Sequence, residues 1–184
     1  MKLSLLAILL GAGLGLPQIY AFANPQKFAT SVRSFSRNLP VGIGLMLLGT
    51  AWFIWNVNTE PAADFSAYKP AMMMAFAAVG ILSCFFVQDF LAVRGLAVVS
   101  LLLAKAMVDI GRPHLGDTPW VLVIQVWAYV LIAAGIWFTI TPWKLRDLLN
   151  WMTATPSRIK TFSAIRLCFA IFVMLLGLTA FRAM

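Results

Sequence analysis

Residues 91–109 read LAVRGLAVVSLLLAKAMVD, and whether they cross a bilayer decides the fold. A helix needs about 20 apolar residues to cover the roughly 30 Å of hydrocarbon in a membrane. This stretch has the length and the Leu, Val and Ala content, yet it carries Arg94, Lys105 and Asp109. Together with Arg112 these residues fall at about 0°, 20°, 60° and 0° around a helix of 3.6 residues per turn. They form one polar stripe on an otherwise apolar rod. Arg94 lies near one end, and Lys105 can extend its stem toward the other. Asp109 stands one turn beyond Lys105, where an ion pair can close along the helix. The segment therefore reads as a span with a polar stripe.

Working outward, five more stretches match that length. A turn at 88–90 separates the first of them, Pro70 to Val87, from the striped helix, and Trp120 to Ile140 follows it. Further out lie Pro40 to Val57, Leu3 to Ala23 and Thr161 to Phe181. The spacing predicts an all-α integral membrane protein, a single polytopic domain over 1–184 with spans near 3–23, 40–57, 70–87, 91–109, 120–140 and 161–181. Composition agrees: 62% of the 184 residues are hydrophobic and 11% are charged, where soluble domains carry about 25% charged residues. That excludes an ordinary soluble domain, a disordered tail and a disulfide-stapled secreted domain. Cys84 and Cys168 fall inside apolar stretches with no metal or redox spacing, and buried cysteine behaves as a small hydrophobe.

Lys2, an apolar run and Ala21-Phe22-Ala23 resemble a cleavable leader. The basic residues that follow, Lys27, Arg33 and Arg37, resist export and favour an uncleaved first helix. The connections alternate in charge. One side collects Lys27, Arg33, Arg37, Arg94, Lys144, Arg146, Arg158, Lys160 and Arg166; the other holds Lys2, Lys69, Lys105, Arg112 and Arg182. The positive-inside rule places the larger set in the cytoplasm. The expectation is three hairpins turning on the cytoplasmic side of a cell membrane, the inner membrane if the source is bacterial, with both termini outside. Trp52, Trp55, Tyr68 and Trp120 then mark the outer interface, and Tyr20, Trp137, Trp143 and Trp151 the inner one.

Two of the cytoplasmic turns share a pattern. Asn24-Pro25-Gln26-Lys27-Phe28 matches Thr141-Pro142-Trp143-Lys144-Leu145. In each, Asn or Thr can cap a helix that begins on Pro, where a missing N–H costs nothing. Phe28, Val32 and Phe35 then share one face, and Leu145, Leu148, Leu149 and Met152 another. Each segment reads as a short amphipathic helix on the inner interface, over about 25–37 and 142–153, and Pro40 and Pro156 close the turns. The match is compatible with an internal duplication.

Ala7, Gly11 and Gly15 make a small-residue ridge on the first helix, suited to close helix packing in lipid. No strand precedes the glycines, so they are not a dinucleotide loop. Gln125 and Tyr129 share a helix face and suit hydrogen bonds between helices. Met72, Met73 and Met74 spread around a helix and cannot converge on an ion. His114, the lone histidine, is flanked by Asp109 and Asp117. No nucleophile elbow accompanies it, and one histidine cannot build a bis-histidine haem or a zinc site. No cofactor or metal is expected. The net charge of +8 has no nucleic-acid motif beside it.

The expected function is a non-enzymatic membrane scaffold or accessory subunit of a larger membrane complex. Its partners are the lipid bilayer and other membrane subunits or further copies of itself. The competing reading is a small-solute or ion transporter or channel working through the stripe Arg94, Lys105, Asp109 and Arg112, because ionisable groups inside a membrane point to function. A lipid-modifying enzyme lacks its nucleophile and metal ligands.

Overall fold

The computed structural model describes residues 2–60 and 67–182. Among these, the regular elements are helices: α1 (Leu3–Ala23), α2 (Pro25–Phe35), α3 (Leu39–Thr59), α4 (Lys69–Phe86), α5 (Leu91–Gly111), α6 (Val121–Ile140), α7 (Pro142–Met152) and α8 (Pro156–Leu178). A 3-10 turn, Arg112–His114, follows α5. Helices α1, α3, α4, α5, α6 and α8 are long and apolar enough to cross a membrane. The chain is a multi-pass membrane protein.

The largest shift from the sequence reading is in α8, expected over 161–181 and found over 156–178. Its start is fixed by polar chemistry that hydropathy does not weigh. The Thr155 side chain accepts from the Arg158 N–H at 3.3 Å, and Pro156 occupies the first turn, where its lack of an N–H is harmless. Pro40 acts in the same way. The Asn38 Oδ1 accepts from the Val41 N–H at 3.2 Å, and Pro40 sits in the first turn of α3. Thr141 departs from the expected cap: its hydroxyl donates backward to the Trp137 carbonyl at 3.0 Å, and α7 begins on Pro142 without a side-chain bond from it. The turn from α4 to α5 is short enough to force Phe90 to a φ of 54°, a left-handed conformation uncommon for a residue with a side chain.

The described residues cluster into two compact units. One comprises Met1–Ser34, Ala104–Leu131 and Arg146–Met184; the other comprises Phe35–Leu103 and Ile132–Leu145. In the first unit α1 and α8 run antiparallel, since Gly11 faces Ala170 and Met174 whereas Ser4, Ala7 and Ile8 face Gly177. A Cβ built on Gly11 would lie 2.8 Å from the Ala170 carbonyl oxygen, and one on Gly177 3.0 Å from the Ser4 carbonyl oxygen. Lipid offers no hydrophobic drive for helix association, so such contacts are what bind one helix to the next. Leu3, Ala7, Ala170 and Val173 are buried around them.

In the second unit α3 has two neighbours. It runs antiparallel to α4, with Thr50 against Gly80 and Phe53 edge-on to Phe76 at 4.7 Å between ring centres. It runs parallel to the first part of α5, with Gly42 on Leu91 and Ala92, Leu45 and Met46 on Gly95, and Gly49 on Val98. α4 is the least covered span, and its Met74, Val79, Phe85 and Phe86 are 62–82% exposed.

Gly11 and Gly13 make an internal comparison, because a Cβ on Gly13 meets nothing within 4 Å. Gly11→Leu is expected to cost about 1–3 kcal/mol, the range for forcing extra volume into a packed site, and Gly13→Leu close to nothing. Melting temperatures of the two variants in the same detergent check this; equal values would mean that α1 does not need its close approach to α8.

Candidate functional site

The stripe on α5 divides chemically. Lys105 Nζ and Asp109 Oδ2 are 2.7 Å apart, one helical turn along the same face. Arg112 begins the 3-10 turn and is exposed. Arg94 belongs to the other compact unit, and its Nε is buried with no hydrogen-bond partner. The structure brings Lys105 to Asp109 and gives no such bond between either of them and Arg112.

Other polar groups in the first unit are engaged locally. Gln125 is buried and its Nε2 donates to the Val108 carbonyl on α5 at 3.4 Å. Gly111 permits this, since a Cβ there would stand 2.6 Å from that nitrogen. Tyr129, one turn on, faces outward instead. The His114 Nδ1 is 2.8 Å from Asp117 Oδ2, so of the two flanking acids only Asp117 reaches it. Among the described residues no group of three His, Cys, Asp or Glu is placed to hold a metal. Met74 points out of the fold, as does the exposed Cys168, while Cys84 is buried, in no disulfide, and its Sγ donates to the Gly80 carbonyl at 3.4 Å. On α1, the buried Gln18 turns its Nε2 back to the Leu14 carbonyl at 3.3 Å and leaves Oε1 without a partner.

The feature that sequence reasoning missed lies where α2, α7 and α8 meet. α2 and α7 are each eleven residues long and begin on the prolines of the matched motifs. Their apolar residues Phe28, Val32, Leu149 and Met152, with Ile159 and Phe162 of α8, line a cavity of about 60 Å³. Thr153, Ser163 and Arg166 supply its polar lining. Arg33 stays exposed yet reaches the residue just past α7: Nε donates to Thr153 Oγ1 at 2.9 Å and Nη2 to the Thr153 carbonyl at 2.6 Å. The Thr153 hydroxyl itself donates to the Leu149 carbonyl at 2.7 Å, so its lone pairs are free for Arg33. Arg158 lies over the Trp151 ring, 5.3 Å from its centre, and Trp151 packs on Phe162.

Arg166 entered the sequence reading only as a cytoplasmic charge near a helix start. Two signals mark it now. Ile159, Ser163 and Arg166 are spaced to share one helix face, and a helix starting at Pro156 sets Arg166 about 15 Å along its axis at 1.5 Å per residue. A second concavity, on α6 and α8, is apolar throughout, with Trp127 edge-on to Phe169.

No protein-family model matches the chain, and neither does a curated protein or a solved structure.

The pair on α5 has a definite thermodynamic signature. Removing one partner of a charge pair strands the other, and a lone charge in hydrocarbon costs about 2.5–3.5 kcal/mol on insertion scales. Lys105→Met is therefore expected to lower stability, and Lys105→Met with Asp109→Leu to recover part of the loss. A double-mutant cycle on melting temperature in lipid nanodiscs measures this. Additive losses would mean that the two charges act independently.

Proposed function

We propose that this protein is a non-enzymatic scaffold, an accessory subunit of a larger complex in the cell membrane. The observation that carries the reading is how Lys105, Asp109 and Gln125, polar groups of α5 and α6, are engaged. Lys105 is held by Asp109 and Gln125 by the Val108 carbonyl, both within one helix or between adjacent turns of packed helices. Groups bound to neighbours in this way support packing, whereas a solute path requires polar groups that converge on free volume. The exposed apolar face of α4 leaves a surface for lipid, another subunit or a second copy.

In this reading the six spans form three hairpins that turn at the cytoplasmic side, both termini face outward, and α2 and α7 lie on the inner interface as amphipathic helices. The membrane is a bacterial inner membrane or its equivalent.

Two measurements test the proposal. Purification in a mild detergent, followed by intact-mass analysis, is expected to show the chain in stoichiometric association with other membrane subunits. A lone monodisperse species that moves a solute or ion in proteoliposomes would replace this reading with a transporter, and Arg94, with its unpartnered Nε, would be the first residue to test. For orientation, Ser34→Cys and Ser157→Cys, each made with Cys84 and Cys168 changed to Ser, are expected to resist a membrane-impermeant maleimide added outside intact cells. Ready labelling at both would invert the topology.

A further inference from the structure

From the cavity lined by Arg166, Ser163 and Thr153 we infer a binding site for a phosphate group. The argument begins with charge. Arg166 is half-buried on α8, and the hydrogen bond its guanidinium makes goes from Nη2 to the Met152 sulfur at 3.4 Å. A thioether is a weak acceptor, and a guanidinium carries a fork of N–H donors. Removing a cation from water is costly unless it is paired and hydrogen-bonded.

Among the described residues no carboxylate is bonded to Arg166. The acidic residues of the first unit are Asp109, Asp117 and Asp147, and each is already paired with a near neighbour in sequence: Lys105 at 2.7 Å, His114 at 2.8 Å and Arg146 at 2.8 Å. Arg33 adds a second positive charge, held on the lining residue Thr153. The cavity thus has one cation, Arg166, in its lining and a second, Arg33, bonded to the lining residue Thr153, and among the described residues no acid is bonded to either. The ligand that completes it is an oxyanion entering from outside the chain.

Size and lining narrow the ligand. A cavity needs about 10–15 Å³ on the same measure to hold one water, so one of about 60 Å³ admits the oxygens of one anionic group. The planar fork of arginine matches phosphate geometry. The remaining walls, Phe28, Val32, Met152 and Phe162 among them, are apolar and suit an ester-linked tail. A phospholipid headgroup and a free phosphate share this chemistry, and the experiment separates them.

The purified chain is stripped of lipid in detergent and titrated with dioleoyl phosphatidylglycerol, with dioleoylglycerol and with inorganic phosphate, while native mass spectrometry counts bound molecules. One phosphatidylglycerol per chain is expected to bind and dioleoylglycerol is not. Arg166→Gln is expected to weaken binding roughly tenfold or more, as loss of a charged hydrogen bond does, with Arg166→Lys intermediate. Arg112→Gln and Arg182→Gln, exposed cations of the same unit, are expected to leave binding unchanged, which separates a site from general attraction to a basic chain. Val32→Phe fills the cavity without touching a charge and is expected to displace the ligand as well; it serves as the test if Arg166→Gln does not fold. Displacement of the lipid by millimolar inorganic phosphate would identify a soluble phosphate as the natural source, and failure to displace it would identify the lipid headgroup. Equal binding of both lipids, or wild-type binding by the Arg166→Gln and Val32→Phe variants, would overturn the site.

Discussion

The first unit depends on the backbone of α1 reaching the backbone of α8. In water two apolar helices associate because burial removes them from solvent; in lipid that gain disappears, and only close contact distinguishes a neighbouring helix from a neighbouring acyl chain. Gly11 and Gly177 give that contact at two levels, one from each helix. A side chain at either would push the two backbones apart at that level. Residues as far apart in sequence as Leu3 and Val173 are buried as a result, and the start of α8, with Ser163 and Arg166, is held in register with the short helices α2 and α7.

The same unit also shows what replaces packing where the chain leaves its spans. α2 and α7 are too short to be stable in isolation. They are tied by Arg33 onto the carbonyl and hydroxyl of Thr153, a residue just past the end of α7. Terminal carbonyls of a helix lack partners within it, and a guanidinium satisfies one of them while adding favourable charge at the negative end of the helix dipole. The basic character of this part of the chain therefore has a structural use.

Much of the fold was legible because the bilayer imposes length and polarity at once. The six spans stand out by hydropathy alone, and the starts of α2 and α7 by Pro25 and Pro142, whereas the side-chain cap expected of Thr141 does not form. The Lys105–Asp109 pair was legible from helical spacing, since both partners sit on one helix. What escaped the sequence involves partners far apart along it. Gly177 and the Gly42 and Gly95 contacts carry no signal until a facing helix is known. Arg33 stays exposed, and periodicity, which assigns a residue to a face, says nothing of the Thr153 that it bonds. Arg166 was hidden by a misplaced helix start: counted from Thr161 it sits near an end, and counted from Pro156 it lies a further turn and more inside.

The pairing of α1 with α8 also orders events during synthesis. Gly11 and Met174, which would collide if Gly11 gained a Cβ, are separated by most of the chain. At translation rates of 5–20 residues per second, α1 leaves the ribosome roughly 10–30 s before its partner exists. For that interval its glycine ridge faces lipid or the insertion machinery, while α3 and α4 already have each other. Assembly of this unit thus waits on the synthesis of α8, and until then α1 is without the partner that Gly11 packs against.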